Sequence, residues 1–474
     1  MSNTRDETGL TEQVAAFAAG LRHVALPDDL VAIAADGFTD CLGVMIAGRD
    51  NAAVSIVEHA LIPPEGPSEA RIISSGRRVS APHAALVNGV AAHALDYDDS
   101  AFGSHPSAVL VPAILAEAEA LSRKGPAMLA AYIAGYESWA ELASRETDQL
   151  HLKGWHPTSV LGVVASAIAA SVLHQLDAQQ TAHAIGIAAS SSCGLMANFG
   201  SMTKALQVGR AAQIGVEAAR LAAAGLTATA GILEQPNGFL HTYSPKGRVD
   251  TARAPRMGID WHMRRHGLNI KLYPMCYGTH RYLDAMLDTV AAEAVAPSSI
   301  AAVDVWLNAA TTRLLSQHRP TTATQARFSI EFAVAAASIA RRCSLHELTD
   351  DFVNRPDVQA MIARVRIHPL DVPDDGSLSG PPARLAISLH DGRTIDAAPV
   401  AFARGHFKRA ATRQQLREKF EDCASPHMGS QTGGLFDALQ RLSEVGDAND
   451  LPLSSAGIVT AGSGQARMAR IGIS

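Results

Sequence analysis

Residues 159–174 read SVLGVVASAIAASVLH, an uncharged run without proline. Large apolar side chains recur there between alanine, serine and glycine, which reads as a helix whose small faces let neighbouring helix axes approach closely. The pattern repeats on both sides. Ala178–Ala189 (AQQTAHAIGIAA) and Thr203–Ala224 (TKALQVGRAAQIGVEAARLAAA) follow it. So do Ala81–Leu95, Ala108–Ser122 and Pro126–Arg145. Upstream, Asp28-Asp29 reads as the cap of the run LVAIAADGFTDCLGVMIAG. Pro112 is expected to kink its helix or to sit in its first turn. The fold class is therefore mainly α.

The texture changes near residue 270. Ile300–Leu307 (IAAVDVWL) alternates as a strand does, and Val365–Pro369 looks extended after a helical Asp357–Arg364. Leu385–His390 and Thr394–Ala397 flank Asp391-Gly392, a hairpin signal of the type I′ kind. Phe328–Arg342 is an apolar helix among these strands, and Ala70–Ser75 reads as an edge strand. Helical texture returns in RQQLREKFEDC and GGLFDALQRLSEV. The reading is a large all-helical domain (residues 1–270), an inserted smaller α+β lid domain (271–404), and a return segment with its tail (405–474). The tail from Pro452, with its Gly462-Ser463-Gly464, reads as loosely ordered.

Composition narrows the function. Of the 474 residues 47% are hydrophobic but only 5% aromatic, which places the apolar weight in Ala, Leu, Val and Ile and argues against general disorder. Forty Lys and Arg stand against 46 Asp and Glu, a net charge of −6 with no basic block, so no nucleic-acid partner is expected. Val160–Leu173 is shorter than the roughly 18–20 residues that a bilayer span needs, so no membrane partner is expected either. The five cysteines are scattered without a C-x-x-C, which argues against a disulfide framework and an iron–sulfur cluster and suits a cytoplasmic protein. There is no phosphate-binding loop, no dinucleotide fingerprint, no H-E-x-x-H and no nucleophile elbow. His262 and His266 stand at i, i+4, but the short Trp261–Gly267 stretch reads as an exposed polar turn rather than a metal site.

Four segments carry candidate chemistry. LDYDDSAFGSHPS (95–107) puts three carboxylates before a His-Pro that opens a helix. GWHPTS (154–159) repeats that design, so His105 and His156 each stand at a helix N-terminus, which favours anions. Converging, they would suit acid–base work, and an acid beside a histidine would fix its tautomer. In MANFGSMTK (196–204), Lys204 lies in a first helical turn, where it is unfavourable without an anion nearby. In IKLYPMCYGTH (270–280), Lys271 is a cation among apolar residues, suited to holding a carboxylate. Cys276 has no assigned basic partner and reads as a small buried hydrophobe.

Taken together, ALDYDDS…SHPSAVLVPAI, GWHPTSVLGV, MANFGSMTKALQVGRAA and IKLYPMC, in this order, resemble the MmgE/PrpD family. That family includes 2-methylcitrate dehydratase, cis-aconitate decarboxylase and iminodisuccinate epimerase. The resemblance covers about residues 10–445 and implies a helical domain with an α+β lid, a homodimer, no metal and no organic cofactor. It implies a pocket with catalytic His105, His156, Lys204, Lys271 and Asp96, Asp96 orienting a histidine. Ser100, Met196, Tyr273 and Cys276 are implied as substrate-binding residues. The implied chemistry is proton transfer beside a carboxylate of a small di- or tricarboxylate. A 2-methylcitrate dehydratase-like lyase leads. An epimerase, a cis-aconitate decarboxylase and a non-catalytic acid-binding protein are the alternatives. The loop from Asp96 to His105 is a residue shorter than in the decarboxylases and lacks the tryptophan common in dehydratases and decarboxylases, and Phe332 stands where the decarboxylases carry a tyrosine. GWHPTS and CGLMANFGSMTK look more like the epimerase branch.

Overall fold

The computed structural model describes residues 9–372 and 381–453, so the tail beyond Leu453 lies outside the described residues. The first part of the chain is helix upon helix: α1 (Leu10–Gly20), α2 (Asp28–Gly48), α3 (Ala52–Leu61), α4 (Ala81–His93), α5 (Pro106–Ala120), α6 (Gly125–Ser144), α7 (Pro157–His174), α8 (Ala178–Ala189) and α9 (Thr203–Ala223). Among the described residues, Ala70–Arg71 (β1) pairs only with Arg78–Val79 (β2).

Local rules explain the boundaries. α5 and α7 start at Pro106 and Pro157, two residues earlier than their apolar runs, because proline fits the first helical position where no N–H partner exists. His105 and His156 thereby become N-cap residues. Asp28 and Asp29 lie inside the first turn of α2, where they meet the positive end of the helix dipole, and Pro27 takes the cap position. Pro112 stands inside α5 rather than in its first turn.

α4, α5, α7 and α9 pack against one another at the centre. Small residues set their spacing. A Cβ on Gly209 would lie 2.3 Å from the Leu86 carbonyl oxygen of α4, and one on Gly215 would lie 1.9 Å from Ser166 Oγ of α7. α2 and α7 are long and apolar enough to cross a membrane, but 94% of the α7 stretch and 72% of the α2 stretch is buried in the fold.

Buried apolar side chains form two large clusters. The first runs from Leu10 to Ile270 and resumes at Leu416. The second runs from Tyr273 to Ala397. The second surrounds a four-stranded sheet, in the order β4 (Val365–Pro369), β3 (Ile300–Leu307), β5 (Arg384–Leu389), β6 (Thr394–Asp396). β3 runs parallel to β4 and antiparallel to β5. Val303, Val305 and Leu307 point into the cluster beside residues of α10 (His280–Ala292) and α11 (Ile330–Ala340). The β5–β6 hairpin forms, but not through a type I′ turn. Gly392 N–H reaches the Leu389 carbonyl, and only Gly392 has positive φ, at +90°. Leu389 and Arg393 still pair, so three residues form the loop and the glycine takes the left-handed position. α12 (Arg413–Met428) and α13 (Thr432–Gln440) return to pack on α2, where Lys419 meets Asp40 at 2.5 Å.

Gly209→Ala tests the close approach. Helix propensity alone would favour alanine by about 1 kcal/mol. The Leu86 carbonyl cannot yield without moving α4, so a net loss of ~1–3 kcal/mol is expected in denaturant or thermal unfolding. A variant as stable as the parent would show that the helices need not sit this close.

Candidate active site

The end of α4 meets the beginnings of α5, α7 and α9, and this junction gathers residues far apart in sequence. His93 is the last residue of α4, His105 and His156 cap α5 and α7, and Lys204 is the second residue of α9. The starts of α5 and α7 are tied together by the His105 N–H, which donates to Thr158 Oγ1 at 3.2 Å. Lys271 arrives as the chain passes from the first apolar cluster to the second.

Asp96 is the hub. It has φ +51°, a left-handed conformation that Asp tolerates better than most side chains. There its Oδ1 lies 2.8 Å from Lys204 Nζ and 3.3 Å from Lys271 Nζ, while Lys271 Nζ also donates to the Asp96 carbonyl oxygen at 2.6 Å. The anion that a lysine at the start of α9 requires is thus present. Burial works against charge on Asp96, but Lys204 and then Lys271 outweigh it and hold the carboxyl well below the usual carboxylate range.

A second carboxylate serves the histidines. Asp98 Oδ2 accepts from His93 Nδ1 at 2.9 Å and stands 3.0 Å from His105 Nδ1, which also faces the Asp99 carbonyl oxygen at 2.8 Å. All these acceptors lack protons, so Nδ1 of His105 carries one and Nε2 is the atom free for chemistry. Asp98, and not Asp96, therefore orients the histidine, because Asp96 is turned to the lysines and its Oδ1 stays 3.9 Å from His105 Nε2. Burial opposes charge on Asp98, but the two imidazoles hold it well below its ordinary range. Asp99, the third carboxylate, is buried away beside Asp40. Burial and that neighbour push its pKa well up.

His156 is built differently. Gln207 Nε2 donates to the Leu195 carbonyl, so its Oε1 faces His156 Nδ1 at 2.7 Å and accepts the proton there. His156 Nε2 then carries a lone pair. Burial, followed by the charges of His93 and Lys204, lowers this histidine to about 2, and burial lowers His93 to about 4 against the pull of Asp98. The His93 ring centroid lies 4.7 Å from that of His105 and 6.0 Å from that of His156. Phe199 packs edge-on to His156 at 4.9 Å and lies under Lys204 at 5.4 Å.

The other expected residues divide. Ser100 enters through its backbone, which bridges to Asn269. Met196 is exposed on a single turn, its N–H on the Gly154 carbonyl. Tyr273 is not a pocket residue: its hydroxyl donates to Asp284 at 2.5 Å, inside a cluster with Arg404. Cys276 is buried in the second apolar cluster, and burial with the nearby Asp96 charge pushes its thiol up to about 11, the wrong direction for a nucleophile. Phe332 is buried there too, against Phe352. His262 is buried and bonded to Glu141 at 3.0 Å, so its stretch is no exposed turn.

Sequence reading passed over His93, Gln207 and the role of Asp98. His93 gave no signal beyond a polar residue ending an apolar helix, and Gln207 none beyond a polar position inside α9.

A model of the MmgE/PrpD N-terminal domain matches residues 12–252, and one of the C-terminal domain matches residues 273–442. The chain belongs to the MmgE/PrpD family. Among its relatives, cis-aconitate decarboxylase of Homo sapiens is 29% identical over 391 residues, 79% of each chain. That of Mus musculus is 28% identical over 458 residues, 93% of this chain and 92% of its own. That of Aspergillus terreus is 26% identical over 420 residues, 83% and 85% respectively.

In this MmgE/PrpD protein, His93, Asp96, Asp98 and His105 offer ligand atoms within 4.8 Å of one another, a grouping that could hold a metal. The donor set fits one poorly. Asp98 Oδ2 already takes two ring N–H groups, and a divalent ion on Asp96 would face two ammoniums. Protein purified without chelator is expected to contain substoichiometric zinc, iron or manganese by elemental analysis, and one equivalent per chain would overturn this assignment.

The low proton affinity of His156 has a consequence for stability. Its folded pKa lies below the ordinary 6.5, so the unfolded chain takes up the proton first and stability falls as pH drops below about 6.5. Asp40, raised by burial to about 6, works in the opposite sense, so the comparison must be differential. His156→Asn is expected to lose about 2 kcal/mol less stability than the parent between pH 7 and pH 5. Parallel pH slopes in chemical unfolding would contradict a neutral, buried His156.

Proposed function

We propose that this protein is a lyase of small polycarboxylates that breaks a bond next to carbon bearing a carboxylate and moves one proton there. The observation that carries the reading is the convergence of two ammonium groups on one carboxylate oxygen beside a carboxylate-backed histidine. A carbon acid of this kind is weak, and its developing negative charge needs fixed cations, which Lys204 and Lys271 supply. His105 moves the proton through Nε2, and Asp98 balances the imidazolium that forms. His156 stays neutral, and its Nε2 accepts a hydrogen bond that orients the substrate.

This asymmetry favours a lyase over an epimerase, which wants a proton-moving group on each face of the carbon. It also brings decarboxylation ahead of dehydration. In a decarboxylation the carbon–carboxylate bond breaks, its electron pair stays on carbon, carbon dioxide leaves, and His105, having taken a proton from solvent on Nε2, gives it to that carbon. Dehydration would need a second acid for the leaving hydroxide, and a neutral His156 whose one proton is held by Gln207 does not offer it. The names of the relatives point the same way.

The test incubates the enzyme with cis-aconitate, methylcitrate and iminodisuccinate in D₂O. Release of carbon dioxide with one deuterium incorporated is the expected result. Loss of water, or exchange at the α-carbon without net conversion, would replace decarboxylation by dehydration or epimerisation. Asp98→Asn and Lys204→Ala should each lower kcat/KM by at least ~10²-fold. Unchanged rates in both variants would overturn the site.

A further inference from the structure

We infer that Arg327 is the anchor for a second carboxylate of the substrate, which it grips through the guanidinium edge that carries Nε. The inference rests on the polycarboxylate reading above. Arg327 comes from the second apolar cluster's part of the chain, just before the cap of α11, and it reaches across to the first part. Its Nη1 donates to the Ala94 carbonyl at 3.1 Å, two residues before Asp96. Its own carbonyl accepts the Cys276 N–H at 3.0 Å, on the segment that carries Lys271. Arg327 thus joins the two stretches that deliver Asp96 and Lys271, its backbone to the second and its guanidinium to the first.

A clamp on the end of α4 would account for Nη1 alone. It does not account for Nε, which is buried and has no acceptor among the described residues. A buried guanidinium N–H without a partner costs free energy, and an arginine meets carboxylates through just such an edge with two parallel bonds. The charge of Asp96 is felt at Arg327, where it opposes the effect of burial. The charge count agrees. Lys204, Lys271 and Arg327 outnumber the carboxylates of Asp96 and Asp98 by one positive charge, and a proton on His105 brings the excess to two, enough for two carboxylates on one ligand.

The experiment titrates full-length protein with tricarballylate and with butyrate, by calorimetry and ligand-observed NMR. Arg327→Met should weaken tricarballylate by at least ~10-fold, the low end for losing a charge-assisted pair, and leave butyrate unchanged. Unchanged butyrate affinity also reports that the variant is folded. Arg327→Lys, which keeps the charge but not the fork, should also lower the preference for tricarballylate over butyrate, to a smaller extent. Lys204→Met serves as the control for the site and should weaken both ligands. Parent-like tricarballylate binding in both Arg327 variants, with Lys204→Met impaired, would overturn the anchor alone. No tricarballylate binding by the parent, or undiminished binding by Lys204→Met, would overturn the polycarboxylate reading and the anchor with it.

Discussion

The carboxylate of Asp96 between the ammonium groups of Lys204 and Lys271 is the interaction on which the site depends. A buried ammonium, Lys271, beside a half-buried one, Lys204, would be strongly disfavoured alone, because desolvation and mutual repulsion both oppose them. Asp96 makes the arrangement possible without neutralising it. One anion against two cations leaves a net positive charge in a low-dielectric place, where electrostatic interactions are stronger than in water. The chain's net charge of −6 therefore says little about its ligand. An acidic protein can hold an anion when the relevant cations are few, drawn out of bulk water and fixed.

Asp98 supplies the complementary half. It gives His105 a permanent partner for the proton on Nδ1, whereas His156 leans on the neutral amide of Gln207. Two histidines that look alike in sequence, each before a proline at a helix start, thereby acquire different partners on Nδ1, and burial lowers the proton affinity of His156. An imidazolium is stabilised by a carboxylate behind it and penalised by burial beside other cations. The division of labour between a proton carrier and a neutral acceptor follows from those second partners, not from the histidines themselves.

Much of this was legible in the chain. The small-residue helices, the His-Pro starts of α5 and α7, and the misplaced-looking cation Lys204 are local patterns, and local patterns survive in sequence. What was missed depends on where the folded chain turns each side chain: His93 and Asp98 lie five residues apart, Tyr273 and Asp284 eleven, and His156 and Gln207 fifty-one. Tyr273 lies two residues from Lys271 but turns to Asp284, because the chain bends from Leu272 to Met275 and does not keep the same-face placement that an extended strand gives residues two apart. Three adjacent carboxylates, Asp96, Asp98 and Asp99, read as one acidic cluster, yet the fold sends one to lysines, one to histidines and one into the interior. The hairpin at Asp391-Gly392 shows the same limit at short range: the dipeptide marks the turn, while strand register decides whether the loop has two residues or three.

The packing of the bundle and the chemistry of the site are one problem. Lys204 and Gly209 lie on the same helix, one turn and a half apart, and Gly209 lets α9 rest directly on the backbone of α4. Asp96 follows the end of that same α4. The 2.8 Å pair between Lys204 and Asp96 therefore inherits its length from the distance between two helix axes. A methyl group between the axes would move them apart by a sizeable fraction of an ångström, and misplacement of about 1 Å can cost a reaction ~10²-fold. Small residues along α4, α7 and α9 are thus selected twice over, as the condition for a dense helical core and as the ruler for the charges at its end.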